Sequence, residues 1–279
     1  MPSYIAGQEV AADQFRAQHG EDRILAREFA GRRDGYFVEV GAYNGESYSN
    51  TFYLEKSLGW SGVLVEADPA LATKCTEIRP GGRTVNCAAV APGSPDQVTF
   101  EVVEGCQWVS SLSVSKSMLK RIEDIPVTIR RVTVPARTLD AILEECGAPR
   151  GIDFISIDVE GHEHAVLQGF TPGRWDPKVV MLERNHHLPD ARIMRYMHAN
   201  GFRWRRTTGP NDWFYSEAAS APARYRFRLF LRYYLPKYLT LWMPVMNGPV
   251  KRAVKWTLRK VGALEMLRRR RSAHRRATH

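Results

Sequence analysis

Acidic residues lie at or near the ends of three short apolar runs in this chain. Glu39 lies in YFVEVG, Glu66 near the end of GVLVEAD, and Asp158 at the end of IDFISID. In an open parallel sheet, ligands bind beyond the carboxyl ends of the strands, so these acids are candidate ligand contacts. Glu66 follows Gly45 by 21 residues, a spacing that lets a carboxylate accept hydrogen bonds from both hydroxyls of a ribose.

A loop with two glycines, GAYNG at 41–45, follows the first run. Small residues let a backbone turn tightly and approach a ligand closely. The loop lacks the full dinucleotide pattern, because Tyr43 replaces the middle glycine at which a pyrophosphate makes its close approach. From the residues alone, the loop is either a site for a nucleoside without a pyrophosphate or a tight turn with a packed glycine.

The elements that must position these residues alternate in type along the chain. This alternation predicts βαβ units and a mainly parallel sheet with helices on both faces. The last two strands have no helix between them, which predicts a hairpin with one antiparallel strand at the edge. The predicted strands are 36–41, 62–68, 83–90, 97–103, 152–158, 178–184, 202–207 and 212–216, and the predicted helices are 46–58, one opening at Pro69, 138–146, 162–169 and 190–200.

Several blocks of the sequence form an ordered series over residues 14–216. The blocks are QHGED (18–22), FVEVGAYNGESYSNTFYLEKSLGWSGVLVEADP (37–69), SSL (110–112), TLD (138–140), IDFISIDVEGHEHAVLQGF (152–170), MLERN (181–185) and NDWFY (211–215). In this order they resemble the FkbM family of methyltransferases, and IDVEGHE is the most specific part of the resemblance. The resemblance implies a class I methyltransferase fold, which is Rossmann-like, with bound S-adenosylmethionine and O-methylation of a sugar or another hydroxyl.

The resemblance also implies which residues bind the cofactor. Many family members have aspartate at position 39 and asparagine at position 43, so Glu39 and Tyr43 depart from the pattern, although Asn44 is adjacent. The implied contacts are Glu39, Gly41 and Gly45 on the methionine side, Glu66 at the ribose, Asp158 at the sulfonium end, and Ser111 with Cys87 and Ala88 near the adenine.

A methyltransferase that acts on a hydroxyl must also remove the hydroxyl proton, because an aliphatic alcohol does not lose it unaided at neutral pH. Two clusters of polar residues, 158–164 and 183–187, follow neighbouring predicted strands and are expected to line one crevice. His162 is the preferred catalytic base, since an imidazole titrates near neutral pH, and Asp158 is the second predicted catalytic residue. The alternative is that His162 and His164 only begin a helix.

A divalent cation is a competing way to activate the hydroxyl. Hard cations take oxygen ligands, which Asp158, Glu160, Glu183 and Asn185 could supply. The alternative is that Glu183 pairs with Arg184 or with another nearby cation and holds the loop. We favour that pairing, and therefore predict no metal ligands.

Charge divides the chain into two predicted parts. Residues 218–279 contain sixteen Lys or Arg and one acid, Glu265, so they hold a net charge of +15. Because the whole chain has +10, residues 1–217 hold −5. We predict a methyltransferase domain over 1–217 and a basic extension over 218–279.

Residues 249–267 of the extension suit an amphipathic helix. Val250, Val254, Leu258 and Val261 fall on one side, and Lys251, Lys255 and Arg259 on another. Basic residues beside large apolar ones favour an anionic membrane surface as the partner of the extension. Packing on the acidic domain is the alternative, and nucleic-acid binding is disfavoured because no nucleic-acid motif accompanies the arm.

The sequence also predicts where the protein acts and on what. The four cysteines are scattered and no secretory signal is present, which predicts free thiols and a cytoplasmic protein, with the extension as its contact to the inner face of the membrane. The predicted acceptor is a hydroxyl of a sugar, a glycan (lipid-linked if the membrane prediction holds) or a glycosylated natural product. Trp108 and Trp213 could stack on sugar faces, although tryptophans more often lie in the core.

Two other functions compete with this prediction. A nucleotide-dependent oxidoreductase is disfavoured by Tyr43 and by the IDVEGHE block. The alternative that we retain is a non-catalytic module, associated with membrane or glycan, that keeps the methyltransferase fold.

Overall fold

A computed structural model describes residues 3–5, 8–10, 14–184 and 190–217. The predictions for the extension 218–279, and for Asn185 as a cation ligand, lie outside these residues. Among the helices that are described, none is long and apolar enough to cross a membrane.

The described elements alternate as predicted through most of the chain. The strands are β1 (Ser3–Ile5), β2 (Gln8–Val10), β3 (Tyr36–Val40), β4 (Ser61–Glu66), β5 (Gly82–Asn86), β6 (Ala88–Ala89), β7 (Gln97–Glu104), β8 (Thr128–Arg137), β9 (Phe154–Ile157), β10 (Val179–Glu183), β11 (Phe202–Thr208) and β12 (Asn211–Ser216). The helices are α1 (Glu21–Glu28), α2 (Phe52–Leu58), α3 (Pro69–Ile78), α4 (Lys116–Arg121), α5 (Leu139–Glu145), α6 (Glu163–Gln168), α7 (Pro172–Trp175) and α8 (Ala191–Ala199).

A seven-stranded sheet has the order β5-β4-β3-β9-β10-β12-β11. Neighbouring strands from β5 to β10 are parallel, whereas β12 runs antiparallel to both β10 and β11. The predicted closing hairpin is therefore confirmed, but its antiparallel strand β12 lies one position inside the sheet and β11 forms the edge. A mainly parallel sheet with one antiparallel strand inserted next to its edge is the class I methyltransferase fold that the resemblance implies.

The two faces of this sheet bury separate apolar clusters because successive side chains of a strand point to opposite sides. Val38 and Val40 of β3 pack in a cluster with residues of α5, α6 and α8. Phe37 packs in a second cluster with residues of α1, α2 and α3. Helices therefore cover both faces, as predicted, and hold the strand ends in fixed positions.

Predicted helix boundaries are confirmed where a polar residue caps the first turn. Asp68 accepts a hydrogen bond from the Ala70 amide (2.9 Å) at the start of α3, where Pro69 is the first helical residue. Thr138 accepts one from the Ala141 amide (3.2 Å) at the start of α5. All four cysteines are free thiols, as predicted.

Two predicted elements differ from the structure. The helix predicted at 46–58 begins only at Phe52, because residues 49–51 bind the Glu39 carboxylate and Tyr48 has a left-handed φ of 63°. The strand predicted at 83–90 breaks at Cys87. Its first part, β5, pairs with β4, and its second part, β6, joins a separate three-stranded sheet of order β6-β8-β7.

Candidate active site

A cavity of about 430 Å³ lies at the carboxyl ends of β3, β4, β9 and β10. This volume lies within the range of roughly 300–1,000 Å³ that small-molecule sites occupy. Predicted site residues on its wall are Glu39, Gly41, Glu66, Cys87, Ala88, Asp158, Glu160, His162 and Glu183. Residues that follow β9 therefore line one crevice with Glu183, the last residue of β10, as expected from a parallel sheet, whereas residues 185–187 of the second predicted cluster lie outside the described part of the chain.

The loop after β3 can form only with glycine at its first position. Gly41 has φ of 83°, and a Cβ placed there would lie 1.8 Å from the Asp158 carbonyl oxygen. Its amide donates to the Val65 carbonyl (2.9 Å), which fixes the loop against β4. Gly45 also has a left-handed φ (81°), but it packs against Cys75 and Arg79 and is not part of the cavity wall.

Glu66 lies at the end of β4 with its carboxylate at the cavity. One oxygen accepts a hydrogen bond from the Tyr43 amide (2.7 Å) and the other from the Asp68 amide (2.8 Å). A carboxylate has about four acceptor positions, so both oxygens can still accept a hydrogen bond from a ligand. Burial raises the pKa of Glu66 to about 7 despite these two bonds.

Glu39 holds the loop that leads into α2. Its carboxylate accepts hydrogen bonds from the Ser49 hydroxyl (2.8 Å), the Asn50 amide (2.7 Å) and the Thr51 hydroxyl (2.6 Å). Its side chain therefore has a structural role, in addition to its place on the cavity wall. These bonds place Ser49 and Asn50 on that wall as well.

Sequence reasoning missed Arg79, which joins this loop to α2 and α3. Arg79 is fully buried and donates to the Glu55 carboxylate (2.7 Å), the Gly45 carbonyl (2.9 Å) and the hydroxyls of Ser49 (3.1 Å) and Thr51 (2.9 Å). The hydrogen-bond partners of Arg79 lie 24 to 34 residues away along the chain, so no local sequence pattern predicts these contacts.

Three carboxylates from the ends of β9 and β10 come together at the cavity. One oxygen from each of Asp158, Glu160 and Glu183 lies within 4.8 Å of the others. Burial, followed by repulsion from the neighbouring carboxylates, raises the pKa of Glu160 to about 8 and that of Glu183 to about 7. The pKa of Asp158 is raised for the same reasons. Glu160 adopts a left-handed φ of 50°.

His162 stands immediately before α6 and lines the cavity. Its Nδ1 atom is buried and has no hydrogen-bond partner. Burial lowers its pKa, so the imidazole is neutral at pH 7 and can accept a proton. The adjacent Glu163 is buried and accepts hydrogen bonds from the amides of Val159 (3.2 Å) and Gly161 (3.0 Å), which shape the turn that presents His162.

Other predicted residues occupy different positions. Ser111 is buried behind the cavity wall and accepts a hydrogen bond from the Ser113 amide (3.0 Å), while its neighbours Ser110 and Leu112 line the wall. Trp213 is fully buried in the core. Trp108, by contrast, is 42% exposed and lines the cavity.

The segment before α1 closes one side of the cavity. Gln18 and His19 lie on the wall. Glu21 and Asp22 are fully buried and fix this segment: Glu21 accepts hydrogen bonds from Thr208 (3.1 Å) and Asn211 (3.0 Å), and Asp22 accepts the amides of residues 16 and 17. The QHGED block therefore contributes two wall residues and two buried anchors.

Several solved structures are similar to this chain. A TehB-like SAM-dependent methyltransferase from Corynebacterium glutamicum is 14% identical, with 71% of this chain and 88% of that chain covered and a TM-score of 0.38. A precorrin-6y C5,15-methyltransferase from Geobacter metallireducens is 9% identical, with 74% of this chain and 90% of that chain covered and a TM-score of 0.38. Aeropyrum pernix fibrillarin with natively bound S-adenosyl-L-methionine is 8% identical, with 66% of this chain and 67% of that chain covered and a TM-score of 0.35.

Family comparison is more specific than these structural likenesses. No curated protein matches the chain. Residues 39–204, which are more than half of the 279, match the family described as the methyltransferase FkbM domain. The match includes the whole loop after β3, the Glu66 carboxylate and all three acids at the ends of β9 and β10. The chain therefore belongs to the FkbM family of methyltransferases, with S-adenosylmethionine as its cofactor.

Proposed function

We propose that this protein methylates a hydroxyl group of a sugar, in a glycan or a glycosylated natural product. The observation that carries the proposal is a single cavity that joins a ribose-type carboxylate, Glu66, to a group of possible proton acceptors around His162. One end is suited to a nucleoside and the other to the chemistry of an alcohol.

The residues present fit S-adenosylmethionine. Glu66 is a buried carboxylate with acceptor positions left for two ribose hydroxyls, and Gly41 gives the backbone a shape that any side chain would block. S-adenosylmethionine supplies a methyl group that its positively charged sulfur already activates. The task of the protein is therefore to position the alcohol and to receive its proton.

His162 is the base of this proposal. Its buried Nδ1 has no hydrogen-bond partner in the fold, and the residue lines the cavity, so we assign to it the proton of the acceptor hydroxyl. His162 stands immediately before α6, at the end of the turn that Glu163 holds, and this position keeps its side chain at the cavity wall. Asp158 lies at the same end of the cavity and is expected to assist in orienting the hydroxyl.

Aromatic side chains at the cavity support a sugar as the acceptor. Among the described residues, four large hydrophobic side chains are exposed, and two of them, Tyr48 (53%) and Trp108 (42%), line this cavity. An exposed aromatic face beside a polar cleft offers an apolar surface with a polar edge, which matches the alternating apolar and hydroxyl surfaces of a sugar ring.

Calorimetry and a transfer assay test the proposal together. We expect the full chain to bind S-adenosylhomocysteine, and to transfer labelled methyl groups from S-adenosylmethionine to sugars or extracted glycans, seen as a 14 Da increment by mass spectrometry. Replacement His162→Ala is expected to lower transfer by about 100-fold or more, as for loss of a general base, and to leave cofactor binding intact. Absence of cofactor binding would refute the proposal, whereas binding without transfer to any glycan would favour the non-catalytic module.

A further inference from the structure

The three carboxylates of Asp158, Glu160 and Glu183 form the most unusual group of charges in the described part of the molecule. Their oxygens lie within 4.8 Å of one another at the cavity wall. Carboxylates that are brought this close repel one another, and burial adds a desolvation cost to each charge. Bound protons or cations must reduce this repulsion, and a side-chain hydrogen bond between Asp158 and Glu183 accounts for part of it.

Compensation by cations of the protein is incomplete. Arg121 lies 3.3 Å from Glu160 and pairs with that carboxylate. Arg184, which the sequence predicts as the partner of Glu183, instead lies 3.8 Å from Asp212. Among the described residues, Glu183 therefore forms no ion pair with Arg184, and the cation that acts on its charge is Arg121, the partner of Glu160.

Glu183 provides a second, independent observation. The residue is only 9% exposed, and its Oε2 atom is buried without a hydrogen-bond partner although it belongs to a residue of the cavity wall. Buried polar atoms are nearly always satisfied, so an unsatisfied one at a cavity indicates a ligand that bears a complementary group. Asp158 and Glu183 share a side-chain hydrogen bond, and Oε2 still has no partner, so a cation beside the three carboxylates would supply the missing group.

We propose that Asp158, Glu160 and Glu183 bind one divalent cation, Mg²⁺ or Mn²⁺, at the acceptor end of the cavity. All three ligands are oxygens, which hard cations prefer. Around a cation with bonds of about 2.1 Å, neighbouring ligand oxygens lie about 3 Å apart and opposite ones about 4 Å apart. The observed separations need side-chain movements of less than about 2 Å to reach this arrangement.

The site would deepen the proposed function, on which it rests, by naming how the alcohol is activated. Three side chains leave coordination positions for water and for the acceptor hydroxyl, and coordination lowers the pKa of that hydroxyl. The hydroxyl proton passes to His162 and then to water. The oxygen forms its bond to the methyl carbon as the carbon–sulfur bond breaks, and the sulfur keeps the electron pair and leaves as neutral S-adenosylhomocysteine.

Electron paramagnetic resonance of Mn²⁺ tests this site without an activity assay. The full chain, freed of metal with a chelator, is titrated with Mn²⁺, and we expect about one bound ion per chain that Mg²⁺ displaces. Replacement Glu183→Gln, which keeps the shape of the side chain but removes its charge, is expected to weaken Mn²⁺ binding at least tenfold. The matched control is Glu77→Gln, because Glu77 is exposed on α3 away from the cavity, and it should bind as the unchanged protein does.

Two further measurements make each outcome decisive. Glu160→Gln changes a residue nearer the surface and should also weaken Mn²⁺ binding, so a Glu183 variant that failed to fold would not leave the site undecided. Calorimetry with S-adenosylhomocysteine on the same samples reports the cofactor site. The metal site alone would be overturned if the protein bound the cofactor but no stoichiometric Mn²⁺, or if both variants bound Mn²⁺ as the unchanged protein does. The proposed acceptor would be contradicted if the protein bound Mn²⁺ but transferred no methyl group to glycans.

Discussion

At the scale of single residues, Glu66 shows how burial prepares a carboxylate for a ligand. Two backbone amides hold it in place, yet desolvation still raises its pKa to about 7. In the ligand-free protein it is therefore partly protonated at neutral pH. Ribose hydroxyls donate to the ionised form, so cofactor binding and loss of this proton are linked.

This linkage predicts a pH dependence. Because the folded protein holds the proton up to about pH 7, we expect S-adenosylhomocysteine to bind about tenfold more tightly at pH 8 than at pH 6, with proton release seen by calorimetry in buffers of different ionisation enthalpy. Between the ordinary pKa of 4.5 and about 7, the same group binds more protons in the folded than in the unfolded chain, so its contribution to stability falls as pH rises.

Glu66→Gln isolates the effect of this residue from that of the other acids in the cavity. The variant should bind S-adenosylhomocysteine more weakly at pH 8, and the part of the pH dependence that Glu66 contributes should disappear. An identical pH profile in the variant and in the unchanged protein would show that the proton is released elsewhere.

At the scale of secondary-structure elements, the sheet depends on a close approach between the ends of β3 and β9. Gly41 is the point of contact, since a Cβ there would lie 1.8 Å from the Asp158 carbonyl oxygen. The contact places the two loops that form the centre of the cavity directly beside each other. It follows that this glycine is required by the sheet itself, whatever ligand is bound.

Gly41→Ala is expected to lower the free energy of unfolding by more than about 3 kcal/mol, because the clash adds to the strain of a left-handed residue. Gly147→Ala is the matched control: Gly147 also has a left-handed φ (64°) but has no atom within 4 Å of its Cβ position. Its cost should be only about 1 kcal/mol. Urea unfolding measures both, and equal losses would mean that the contact with Asp158 relaxes easily.

The comparison of sequence with structure also belongs to this scale. The acids at the ends of β4 and β9 could be predicted, because an apolar run followed by a polar residue marks the end of a buried strand with residues that are adjacent in the sequence. Arg79 could not, because its role exists only after α2, α3 and the loop between Gly45 and Thr51 have met. The late start of α2 has the same origin, since the Glu39 carboxylate draws residues 49–51 out of the helix.

The small sheet was the main element that the sequence did not predict. The first half of β8, from Thr128 to Arg131, is exposed, whereas its second half alternates inward-facing Val132, Val134 and Ala136 with exposed residues. It is stabilised by pairing with β7 over eight residues of each strand and by burial of Val134 and Ala136 in a cluster with residues of β7. Only the short alternation of the second half indicates this strand in the sequence, because the exposed first half has no such pattern; its neighbour β7 was predicted correctly.

At the scale of the whole molecule, charge is distributed unevenly along the chain. Residues 1–217 hold a net charge of −5 and residues 218–279 hold +15. The carboxylates of the cavity belong to the acidic part, whereas the extension combines cations with tryptophan, phenylalanine and leucine. A segment of this composition is expected to bind an anionic membrane surface, where each cation contributes about 1 kcal/mol.

Vesicle sedimentation tests this expectation. The full chain should sediment with vesicles that contain anionic phospholipid at low salt, and should be released at about 0.5 M salt, where the Debye length falls to a few ångströms. A chain that ends at residue 217 should stay in the supernatant, with calorimetry against S-adenosylhomocysteine as the check that it is folded. Replacement of Arg268–Arg271 by glutamine should lower binding at least tenfold, since about 4 kcal/mol of attraction is at stake. Two results would contradict the membrane role: equal sedimentation of the full and shortened chains, or binding of the full chain to neutral vesicles as strong as to anionic ones. In either case the positive charge of the extension would not be needed for membrane binding, and packing against the acidic domain would be favoured.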